Sequence, residues 1–199
     1  MTDDGLIAHE PERVALKEWA VLVEAMARGN LIAMIRKGGI REKRAGFDVR
    51  HDRFLLYPTF FHEKLDELAG RFHPLLGAAH ANRPPEGMIQ LRYVASAAAV
   101  WLVTDLERLR AIDSEHGLTW GAVESRFRYR DDPRVHVIAV RIATLPALVT
   151  LPEARRYMGC VSWVKLDADV DVVGAQPVID DATFATRIRA LEDSLGTIR

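Results

Sequence analysis

The sequence predicts an α+β fold: a mixed, largely antiparallel curved sheet or small β-barrel with flanking helices. Three observations predict it. Apolar residues recur at spacings of 3 and 4 in the stretches that begin at Leu16, Phe61 and Phe184, which marks helices. Alternating, β-branched or short apolar runs mark roughly six or seven strands, and the two kinds of element do not alternate regularly as a doubly wound sheet requires. The 199 residues, 49% apolar and 28% charged, suffice for one sizeable core.

Taken in order, residues 1–12 hold Asp3, Asp4, Glu10 and Glu12 without an apolar period and read as a loose acidic leader. From Arg13 to Arg28, Leu16, Trp19, Val23 and Met26 predict a helix that Gly29 stops. Leu31–Ile35 reads as a buried strand, and Phe54–Tyr57 as a second one closed by Pro58, the two joined as a long-looped hairpin. Thr59 then caps a helix carrying Phe61, Leu65, Leu68 and Phe72, and Asn82–Gly87 is a turn or linker, the best internal boundary in the chain. Strands follow at 88–94 and 97–103, then helices at 105–112 and 119–127. Val135–Leu145 and Leu148–Leu151 are strands interrupted by Pro146, Pro152–Met158 is a helical turn, and Cys160–Leu166 is a further strand. Asp180 or Asp181 caps a last helix with Phe184, Ile188, Leu191 and Leu195 on one face. The expected organisation is a leader (1–12), one α+β domain (13–166), and an acidic linker with a C-terminal helix packed on it (167–199).

Composition narrows the function classes. The single cysteine, Cys160, excludes an internal disulfide and a cysteine-based zinc site, and reads as a small core residue in a reducing, cytoplasmic setting. The longest apolar run, Val94–Val103, is about half of what a membrane span needs. A net charge of −1 excludes a uniformly basic nucleic-acid wrapper, but the charge is uneven. Residues 36–53 carry +4 and residues 126–141 carry +3, while the tail from Asp167 onward carries −4.

Those two basic segments are the candidate site. Arg36-Lys37-Gly38-Gly39-Ile40-Arg41-Glu42-Lys43-Arg44 places five cations around a glycine pair, whose backbone can approach an anion closely while Arg36 and Lys37 supply charge. It is neither a Walker loop nor a dinucleotide-binding glycine motif. Arg126, Tyr129, Arg141, Tyr57 and His62 complete a mixture of cations and aromatic rings suited to phosphates and bases. The structural alternatives are a solvated, charge-rich turn for 36–44 and an edge strand for 126–130. His51 and His62, with a carboxylate such as Glu18 or Glu42, are candidates for acid–base chemistry, although the gap between the histidines is not a metal-ligand spacing. No cofactor and no metal are expected.

On Ala15–Val21, Arg36–Ile40, Phe54–Thr59 with His62, His136–Leu145 and Gly159–Val164, over roughly residues 13–166, the chain resembles an uncharacterised prokaryotic family, domain of unknown function 1802. The resemblance implies no assigned activity and a setting beside restriction–modification systems. Ala45-Gly46 after the basic run and Glu63 after the histidine depart from the family pattern. At the level of fold, the order helix, Gly29, strand, Arg36-Lys37, together with the late strands Val140–Leu151, is similar to PUA-like and ASCH-like domains, small barrels that bind RNA or modified bases. The expected function is a binding module for a phosphate-bearing ligand, nucleic acid foremost, with no membrane partner and no oligomeric state implied. A nuclease or other phosphoester hydrolase, and a basic-faced protein-interaction subunit, are the alternatives.

Overall fold

The structure, a computed structural model, describes residues 11–37, 51–60, 63–159 and 161–196. The elements are β1 (Glu12–Trp19), α1 (Ala20–Ala27), β2 (Ala33–Arg36), β3 (Arg53–Thr59), a 3-10 turn (Gly70–Leu75), α2 (Leu76–Ala81), β4 (Met88–Val103), α3 (Leu106–Arg110) and α4 (Trp120–Arg128). They continue with β5 (Val135–Pro152), β6 (Trp163–Val170), β7 (Gln176–Pro177) and α5 (Asp181–Leu195). One sheet runs in the order β2-β5-β4-β3-β1-β6, with β7 paired to β5. β1 and β3 are parallel, and the other pairings are antiparallel. The fold is therefore α+β with a mixed sheet, and the sheet does not close: among the described residues its end strands, β2 and β6, do not pair. No described helix is long and apolar enough to cross a membrane.

β3 explains how the core is divided. Phe54 and Leu56 join a large apolar cluster with α1, α4 and α5, whereas Leu55 and Tyr57 join a smaller one with Ile89, Leu91 and Val164. A strand buried on both faces reads as an unbroken apolar run, and each such side chain contributes about 2 kcal/mol. Helices α4 and α5 start where side-chain caps are available: Thr119 accepts from the Ala122 N–H at 3.4 Å, and Asp180 from the Thr183 N–H at 2.8 Å. Phe184, Leu191 and Leu195 then seat α5 in the large cluster. Arg187 pins it there, pairing with Glu115 at 2.5 Å and donating to the Gly29 carbonyl at 2.6 Å.

Several expected elements take another form. The helix over Arg13–Arg28 forms only in its second half, as α1; the first half is β1, hydrogen-bonded to β3 on one side and β6 on the other. Ladders on both edges outweigh a helix propensity that differs by at most about 0.7 kcal/mol per ordinary residue. β2 and β3 form no hairpin, since β2 pairs with β5. Pro58 does not close β3, which runs on to Thr59; the register with β4 ends at Leu55, so the missing N–H of Pro58 meets no waiting β4 partner. The helix expected from Thr59 does not start there: the Thr59 hydroxyl donates to the Glu18 carbonyl at 3.1 Å, and helical turns begin only at Gly70. Phe61 lies outside the described residues.

The two strands expected at 88–103 are one, β4, and Pro146 lies inside a continuous β5. Their register accommodates it. Between the pairs Leu91–Val149 and Tyr93–Thr144, β4 has one residue, Arg92, and β5 has four, residues 145–148. Such a bulge bends the strand and re-aims the side chains around it.

Candidate anion-binding cleft

Because β1 and β3 are parallel, both deliver their carboxyl ends to one place, with Lys17 beside Tyr57, Glu18 beside Pro58 and Trp19 beside Thr59. The curl of the sheet brings the end of β2 there too. Arg36 Nη2 donates to the Lys17 carbonyl and to the Glu18 carboxylate, each at 2.8 Å. A cleft of about 1200 Å³ opens at this point. Its remaining described walls come from the first turns of α1, the turn at 82–87, the start of β4, Glu153 and the segment around Gly159.

The structure brings Arg36, Lys37, Tyr57 and Arg126 together in the lining of this cleft. Arg36 is held by Glu18, and its Nε is buried without a hydrogen-bond partner among the described residues. Arg126, near the end of α4, lies over the Trp19 ring at 5.5 Å and reaches Glu67 at 3.5 Å. Burial pushes its pKa below the usual guanidinium range; Glu18 counteracts this and Arg36 adds to it. Two arginines that repel one another thus share a wall, Arg36 paired with Glu18 and Arg126 with Glu67. Lys37 is spent differently: its ammonium donates to the carbonyls of Phe127 (3.1 Å), Asp132 and Arg134 (2.9 Å), tying β2 to the loop after α4. The Tyr57 hydroxyl donates to Glu153 at 2.5 Å, and burial followed by Glu153 raises its pKa, so it stays protonated.

Other sequence-derived candidates lie elsewhere. Tyr129 is exposed beyond α4, with Arg130 over its ring at 5.2 Å. Arg141 leaves β5 toward α5, where it binds Asp181 and lies 5.1 Å from the Phe184 ring. His51 packs edge-on against Trp163 at 5.4 Å. None of these three lines the cleft. Gly38, Gly39, Glu42, His62 and Cys160 lie outside the described residues. Among the described residues, no three His, Cys, Asp or Glu side chains are grouped to hold a metal ion.

Sequence reasoning missed Arg92, Trp19, Tyr93 and Glu153 as cleft residues. Arg92 is the most consequential: it stands at the β4 bulge, half-buried, with no hydrogen bond or ion pair among the described residues. Its only signal in the sequence is one cation within an apolar run.

Fold and site together define a class: an open, curled α+β domain with a cation- and aromatic-lined cleft at the carboxyl ends of a parallel strand pair. The chain belongs to the family described as a domain of unknown function (DUF1802), a sequence model of which matches residues 15–190. No curated protein matches it. Two solved structures are similar in fold. The ASCH protein of Zymomonas mobilis matches with a TM-score of 0.37 and 12% identity, over 64% of this chain and 66%, just under two thirds, of that one. A serine-to-alanine mutant of the Zymomonas mobilis ASCH protein matches with a TM-score of 0.44 and 12% identity, over 78% of this chain and 90% of that one.

Proposed function

We propose that this domain binds a phosphate-bearing ligand, nucleic acid foremost, in the cleft at the ends of β1 and β3. The observation that carries the reading is the pair Arg36 and Arg126: two half-buried guanidinium groups in one wall, the Arg36 Nε–H having no acceptor among the described residues. Hydrogen bonds from a guanidinium group to a phosphate oxygen are charge-assisted and roughly twice as strong as neutral ones. Arg92 adds a further cation, and the half-buried Trp19 and Tyr93 supply ring surface against which a base can stack. The restriction–modification setting implied by the family makes DNA the first ligand to try.

The test is retention of single- and double-stranded DNA and RNA oligonucleotides across a salt series. Binding is expected to weaken linearly on a log–log plot, and Arg92→Ala or Arg126→Gln is expected to reduce the slope by about one phosphate contact each. No retention of any oligonucleotide at low salt overturns the reading. Turnover of a phosphoester would select the hydrolase alternative instead.

A further inference from the structure

We infer that Glu153 selects, within this cleft, nucleobases that present an exocyclic amino N–H, favouring adenine, cytosine and guanine over thymine or uracil. The inference rests on the nucleic-acid reading above. Glu153 directly follows the last residue of β5, and its backbone N–H donates to the Gly87 carbonyl at 2.8 Å, which fixes it to the turn before β4. One carboxylate oxygen, Oε1, accepts the Tyr57 hydroxyl at 2.5 Å. The other takes no hydrogen bond or ion pair among the described residues, and neither Arg36 nor Arg126 contacts it.

An ionised carboxylate only accepts hydrogen bonds. The buried phenol of Tyr57 keeps its proton and donates it to Oε1. The free oxygen repels phosphate, and the part of a ligand that meets it must therefore be a donor. The half-buried Met88 and the exposed Val161 give the same cleft apolar lining, and Lys17, over the Tyr57 ring at 5.5 Å, donates to the Tyr157 and Gly159 carbonyls; apolar lining suits a flat base rather than the sugar–phosphate chain. Carboxylates read the cytosine amino group by the same chemistry, whereas the thymine carbonyl in the equivalent place is an acceptor facing an acceptor.

The experiment compares binding of oligo(dA), oligo(dC) and oligo(dT), and of the ribose oligonucleotides oligo(A), oligo(C) and oligo(U), all of equal length and at one salt concentration, by the intact protein and by Glu153→Gln. The intact protein is expected to hold oligo(dA) and oligo(dC) about tenfold more tightly than oligo(dT). In Glu153→Gln the amide oxygen still accepts from Tyr57 while the amide N–H₂ now donates, so the ratio is expected to fall to one or to invert. Equal affinity for all bases, or a base preference that survives the substitution, overturns the inference and leaves the binding reading standing. A preference for ribose over deoxyribose irrespective of base also overturns it, because the donor read would then be a sugar hydroxyl. No binding of any oligonucleotide overturns the binding reading, and the inference falls with it.

Discussion

At the scale of single residues, His116 makes stability depend on pH. Its ring is almost wholly buried, and burial pushes its pKa down to about 4, with Asp113 opposing and Arg71 and Arg126 adding. Nδ1 accepts the Leu118 N–H at 3.2 Å, so the neutral ring is assigned its proton on Nε2. An unfolded chain protonates this histidine near pH 6.5. The folded state therefore has its full stability above about pH 6.5 and loses it as the pH falls toward 4, approaching about 3 kcal/mol. Thermal midpoints measured across that window should decline, and His116→Gln should flatten the decline; an unchanged profile would assign the loss to other groups. Lys37 gives a second expectation. Lys37→Met removes three carbonyl contacts and should destabilise the protein by about 2 kcal/mol in denaturant unfolding, because the carbonyls of 127–134 lose their donor. A cation run in the sequence shows that charge is present. It does not show that Lys37 is committed to backbone while Arg36 keeps a free donor, because both partners arrive from distant segments.

At the scale of elements, α1 ends at a position that only glycine fits well. Gly29 has φ +72°, and a Cβ there would come within 2.6 Å of the Ile179 side chain. Gly29→Ala combines backbone strain with displacement of Ile179 and should cost about 1–3 kcal/mol by equilibrium unfolding. Elements with local signals were legible in the sequence: α4 and α5 each carry a capping side chain and a helical apolar period, and β2 is a short apolar run after a glycine turn. β1 was not legible, since Leu16 and Trp19 on a strand and Val23 and Met26 on the following helix together imitate one helical face. The same limit applied to the site. Tyr57, Arg36 and Arg126 stood out as aromatic and cationic residues, whereas Arg92 depends on a bulge and Glu153 on a turn contact with Gly87, and neither leaves a local trace.

At the scale of the whole molecule, α5 is an integral wall of the core. Phe184, Leu191 and Leu195 close the large cluster, and the Trp101 indole donates to the Gly196 carbonyl at 2.8 Å. Truncation after Ile179 should therefore abolish cooperative unfolding and expose dye-binding apolar surface; retention of a sharp transition would show that α5 is dispensable. The sheet order also carries a consequence for biogenesis. β1 precedes the other strands in the chain, yet one of its two flanking strands, β6, is assembled from residues 163–170. During synthesis β1 has its parallel neighbour long before its antiparallel one, and the cleft at its end cannot be completed until Glu153 and Gly159 have left the ribosome. A nascent chain stalled before residue 153 would carry the arginines without the walls that organise them, and refolding from denaturant should be slow, as it is for sheets closed by distant segments.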